Sequence, residues 1–112
     1  MGEDTALTPE EYVRRVLTAY RSTPGTTGIT RRPDRLLAVA LYERRVALTS
    51  IENAFILAAA RRLARPPDAQ PLPVIRSLAY FLPVIDEVLR LSVDPNYFRY
   101  LRQKIKAFTE TR

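Results

Sequence analysis

Apolar residues recur at helical spacing along most of this chain, and no stretch alternates apolar and polar in the way an exposed sheet face requires. Five segments carry the helical pattern. The first follows Thr8, a natural N-cap, with Pro9 at the first helical position and Glu11 placed to complete a Thr-x-x-Glu capping box. Tyr12, Val13, Val16, Leu17 and Tyr20 then form one apolar stripe, while Arg14, Arg15, Thr18 and Arg21 lie off it. This helix should end near Arg21, because Ser22 to Gly28 is turn chemistry.

The second helix is expected from Pro33, with Thr30 or Arg32 just outside it, to about Arg45. Its centre, Leu36 to Tyr42, is apolar on every side, which predicts a helix enclosed by others. Thr49 or Ser50 should cap the third helix, with Glu52 closing a second capping box from Thr49. That helix reaches about Ala64, since Pro66-Pro67 forbids continuation. Residues 66–73 read as a stiff, extended, proline-rich connector. A fourth helix spans about Val74 to Leu91, kinked or split after Phe81 by Pro83. Asp94 caps the fifth, with Pro95 first, and Phe98, Leu101, Ile105 and Phe108 make its buried stripe.

Short connectors between five helices predict a compact all-α bundle in one domain, residues 8–108, flanked by a flexible acidic N-terminus (1–7) and a short tail (109–112). Helices two and three should supply the core, with helices one and five as amphipathic covers.

Composition narrows the chemistry. With no cysteine and no histidine, a disulfide framework, thiol or imidazole catalysis and the usual zinc ligand sets are excluded. The opening MGEDTALTPEEY is too acidic and polar for a signal peptide. The most apolar stretch, Leu72 to Leu91, is interrupted by Arg76, Pro83, Asp86 and Glu87, so no membrane span is expected and the cytoplasm is the default location.

The net charge of +6 is unevenly placed. Residues 1–11 carry four acids and no base, whereas residues 12–65 carry eleven bases against three acids. Residues 66–98 come to −2 and residues 99–112 to +4. Such basic zones attract a polyanion when they cluster in space. Sixteen arginines against two lysines also fit a simple coding bias, which would leave the charge without a task.

The segment RRVALTSIENAFILAAARRLAR, Arg44 to Arg65, joins a charged helix end to a new helix through Val46-Ala47-Leu48. Residues 33–65 resemble generic helix-turn-helix DNA-binding modules. The resemblance implies that Thr49, Ser50, Glu52 and Asn53 face a DNA groove, Asn53 suited to adenine and Glu52 to cytosine. Arg44, Arg45, Arg61, Arg62 and Arg65 would hold the backbone of double-stranded DNA, joined by Arg31, Arg32 and Arg35. Two features depart from the pattern: the turn glycine is replaced by Arg45 or Val46, and Ala54 to Ala60 (AFILAAA) has no polar face. Without DNA, the same residues describe a central packing helix whose small side chains let neighbours approach.

Other candidates are weaker in pattern. Arg31, Arg32 and Arg35 adjoin threonines 23, 26, 27 and 30, a set that offers phosphate donors but does not match a P-loop. Tyr97, Phe98, Arg99, Tyr100, Arg102, Lys104 and Lys106 interleave aromatic and basic groups, as one amphipathic helix also would. Asp86 and Glu87 read as a solvated face, and no nucleophile has an activating partner. The sequence therefore points to a non-enzymatic, DNA-binding accessory or regulatory protein without a cofactor. The rival is a protein-interaction module or homodimer that uses Ile75, Leu78, Tyr80, Phe81, Val84, Ile85 and Leu89 of helix four.

Overall fold

The computed structural model describes residues 7–91 and 95–110. Helix α1 (Pro9–Ser22) begins as its sequence requires. The Thr8 hydroxyl accepts the Glu11 N–H at 3.1 Å, and Glu11 Oε1 accepts the Thr8 N–H at 3.2 Å. Leu7 precedes the cap and packs on the core. All five apolar residues of the α1 stripe are buried.

Helix α2 (Arg32–Glu43) contributes less to the core than its composition suggests. Only Asp34, Ala38 and Leu41 are buried, while Leu36 is 56% and Val39 37% exposed. The expectation of an enclosed α2 is therefore wrong: the helix lies across α1 and the turn after Ser77, leaving one apolar edge open. Its end has Schellman geometry. The Val46 N–H reaches the Leu41 carbonyl and the Arg45 N–H reaches Tyr42, with Arg45 at φ 62°.

Helix α3 (Leu48–Leu63) is the centre of the bundle and packs on α1, α4 (Leu82–Arg90) and α5 (Pro95–Glu110). Ile51, Ala54, Phe55, Leu57, Ala58 and Ala59 are all buried, so the small residues do permit close neighbours. Its N-cap is Ala47, not Thr49 or Ser50, and no side chain caps it. The second capping box does not form because the helix starts two to three residues earlier, where buried Val46 and Leu48 fix the chain. The Tyr12 hydroxyl donates to the Val46 carbonyl at 2.6 Å and ties this turn to α1.

The connector is a turn followed by an extended run. The Ala69 N–H closes onto the Pro66 carbonyl, and Ile75 then exchanges backbone hydrogen bonds with the Gly25–Thr27 loop. Pro71 and Pro73 hold their predecessors extended, and β-branched Val74 and Ile75 suit that geometry. Helix therefore does not begin at Val74. A 3-10 turn covers Leu78–Phe81 and passes into α4, with Pro83 in its first turn.

Phe81 closes the core. Its ring meets Phe55 edge-on at 4.8 Å and Tyr20 at 6.0 Å. Burying such a ring stabilises the fold by about 1.5–3 kcal/mol before packing geometry is counted. Phe98 and Leu101 of α5 complete the same cluster, whereas Phe108 is 38% exposed instead of buried. Helix α5 runs on through Glu110, which shortens the tail, and its proposed cap, Asp94, lies outside the described residues. Among the described residues the fold is an all-α bundle of five helices, with α1 and α3 rather than α2 and α3 as its core pair.

Candidate nucleic-acid interface

The arginines named from the sequence divide into three places. At the start of α2, Arg31, Arg32 and Arg35 are all exposed. Arg31 is the N-cap, yet its side chain has no acceptor, and the box is half made: the Arg31 N–H donates to Asp34 Oδ2 at 2.8 Å. Asp34 Oδ1 accepts the Leu78 N–H, also at 2.8 Å. Asp34 thus stays buried with both oxygens engaged, and the acid nearest these arginines is turned inward.

Around the α2–α3 turn, Arg44 sits 3.6 Å from Asp86 and Arg45 is exposed. Thr49 is exposed in the first turn of α3, but Ser50 and Asn53 are half-buried. No residue of α3 from Ile51 to Ala60 is exposed, so its middle presents no open face to a DNA groove. Nor do α2 and α3 pack on each other as a pair; each leans on α1.

At the end of α3, about 20 Å from Thr49 by helical rise, the arginines already have partners. Arg61 forms a two-pronged hydrogen-bonded pair with Glu87. That contact holds the Glu87 carboxyl below its ordinary range and pushes Arg61 higher still. Arg62 donates to the Pro73 carbonyl at 3.0 Å and the Tyr80 hydroxyl at 3.3 Å, and Arg65 donates to the Gln70 carbonyl at 2.8 Å. Asp86 and Glu87 therefore do not form a merely solvated face. Each pairs with an arginine assigned to phosphate.

The threonine-rich loop is also occupied. Thr23 donates to the Ala19 carbonyl, Thr26 to the Thr23 carbonyl, and Thr27 accepts the Ile29 N–H. These hydroxyls build the loop and are not presented as a phosphate cradle.

One convergence escaped the sequence. Arg14 and Arg21 of α1 join Arg35 of α2 around a groove of about 350 Å³, floored by Val13, Leu17 and Val39. Glu10 lines the same groove. The signal was present in the seven-residue spacing of Arg14 and Arg21, two turns apart on one helix face. What the sequence did not show was that α2 would bring Arg35 to that face. Arg31, the N-cap, and Arg32, the first residue of α2, precede Arg35 by four and three residues, the spacing of neighbours on one helix face.

Among the described residues, no group of three or more candidate metal-ligand side chains occurs, and no helix is long and apolar enough to cross a membrane. Compared with known protein families, characterised proteins and solved structures, the chain has no match, so its site rests on geometry alone.

Proposed function

We propose that this chain is a small, non-enzymatic DNA-binding protein with an accessory or regulatory role, which holds the phosphate backbone through its α1–α2 face. The observation that carries this reading is the grouping of Arg14, Arg21 and Arg35 around one groove, with Arg31 and Arg32 adjoining. Among the described residues, none of the five forms an ion pair, whereas Arg44 and Arg61 do. Guanidinium groups in such an array suit bidentate contact with phosphates. Base reading by α3 is not part of the proposal, since its centre is core.

A titration of fluorescent duplex DNA at about 50 and 200 mM salt tests it, with affinity expected to fall steeply between the two. The triple variant Arg14→Gln, Arg21→Gln, Arg35→Gln should lose most of the binding while staying folded. A flat titration of the wild type at low salt overturns the proposal.

Dimerisation through α4 has less support. Of the seven apolar residues in that candidate face, Ile75, Leu78, Phe81 and Ile85 are buried and Val84 is half-buried. The single core absorbs most of what a partner was expected to cover.

A further inference from the structure

The last turn of α3 and the residue after its C-cap bring Arg61, Arg62 and Arg65 to a second cavity of about 370 Å³, bounded also by Leu72, Tyr80 and Val84. This volume lies within the range of about 300–1,000 Å³ common for ligand sites. Arg61 is neutralised by Glu87, but the acceptors of Arg62 and Arg65 are uncharged oxygens. Two positive charges therefore remain, with N–H donors that an anionic oxygen satisfies better than a carbonyl does.

The cavity also has an aromatic side. The Arg62 guanidinium lies 5.9 Å from the Tyr80 ring centroid, yet Tyr80 stays 46% exposed, and Leu72 is 41% exposed beside it. A bare phosphate uses the arginines and leaves the ring unused. A nucleobase joined to a phosphate uses both, the base stacking on the ring and the charge on the guanidinium groups. Duplex DNA keeps its bases stacked inside and offers no such group.

We infer that this cavity binds one unpaired nucleotide, with its base against Tyr80 and its phosphate between Arg62 and Arg65. The inference stands apart from the α1–α2 face, with which it shares no residue. The nucleotide chemistry can arrive as a free mononucleotide or within a single strand, and the test separates the two.

Amide and arginine side-chain NMR spectra would be followed during titration with inorganic phosphate, adenosine monophosphate, a short oligothymidylate and duplex DNA. Signals of Ala58 to Arg65 and of Tyr80 should move with the mononucleotide or the oligothymidylate, and at least tenfold more weakly with phosphate. A stronger response to the oligothymidylate assigns the strand as source; equal responses assign the free nucleotide. Tyr80→Leu should weaken the tighter ligand about 5- to 150-fold, the span of one stacked base. Arg65→Gln, a change that leaves the ring in place, should weaken it at least tenfold. Shifts confined to Arg14, Arg21 and Arg35, or full affinity in both variants, overturn the inference. Duplex binding without shifts at Tyr80 is expected; if the mononucleotide and the oligothymidylate also leave Tyr80 unmoved while the duplex still binds, this site is overturned and the α1–α2 proposal stands.

Discussion

The Asp34 carboxylate accepts the backbone N–H of Leu78 at 2.8 Å across 44 residues of sequence. Its other oxygen accepts the Arg31 N–H, so one buried side chain caps α2 and fixes the entry to the 3-10 turn. Asp34→Ala leaves two backbone donors without this acceptor and should cost about 3 kcal/mol. Asp34→Asn keeps one acceptor oxygen and should cost about half as much. Urea unfolding measures both, and a midpoint unchanged in Asp34→Ala would remove Asp34 from this role.

Arg45 occupies a left-handed position, φ 62°, where glycine is the ordinary residue. Its neighbours are well placed: Val46 and Leu41 are buried at the two ends of the closing hydrogen bond. Arg45→Gly should therefore stabilise the protein by about 0.5–1 kcal/mol. Because Arg45 lies outside the α1–α2 groove, DNA affinity should change little in the same variant. A loss of stability on thermal melting would contradict the strain assignment.

Tyr20 is fully buried, and its hydroxyl has no hydrogen-bond partner among the described residues. Burial, then the Asp34 charge, pushes its ionisation above the ordinary value of 10.0, against a smaller opposing effect of Arg31. The unfolded chain thus releases this proton first as pH rises, so Tyr20 subtracts stability above about pH 10. Tyr20→Phe should be at least as stable as wild type at neutral pH and should flatten the alkaline limb of the melting curve. A Tyr20→Phe protein that loses alkaline stability as steeply as wild type would refute the assignment.

The parts of the fold that were legible in sequence are those specified by local chemistry. Thr8, Pro9 and Glu11 set the start of α1, and the α1 stripe is buried as its spacing requires. Pro66-Pro67 ends α3 close to where expected. The failures have a common cause in long-range packing. Leu36 and Val39 are apolar yet stay exposed, and Thr49 yields the cap to a start fixed by Val46 and Leu48. Arginines that look alike in sequence differ by partner: Arg61 has Glu87, 26 residues away, while Arg14, Arg21 and Arg35 share a groove. Sequence spacing cannot show which acids fold back onto which bases.

The Arg61–Glu87 contact makes an acid-side prediction. Hydrogen bonding to Arg61 lowers the Glu87 ionisation from its ordinary 4.5, despite a partly opposing cost of desolvation. Its contribution to stability is present above that ordinary value and is lost as pH falls through the lowered folded value. Glu87→Gln should leave a shallower decline of melting temperature between about pH 6 and 3. High salt should shrink the difference, since both side chains are partly exposed. Parallel curves for wild type and Glu87→Gln at low salt would count against the pair.

Salt dependence distinguishes arginines that hold phosphate from those that hold the fold. Five backbone contacts by Arg14, Arg21, Arg31, Arg32 and Arg35 predict a slope of log affinity against log salt of about −4.5. Removing Arg14, Arg21 and Arg35 together should reduce its magnitude by about 3. Arg44→Gln and Arg61→Gln remove charges already neutralised by Asp86 and Glu87, so each should alter the slope by less than about 0.5. If instead Arg44 and Arg61 control the slope and the groove arginines do not, the ion pairs open on binding and the DNA contacts lie on the α4 side. Measuring the four slopes on one random-sequence duplex decides between the two placements, because backbone contacts weaken all sequences alike.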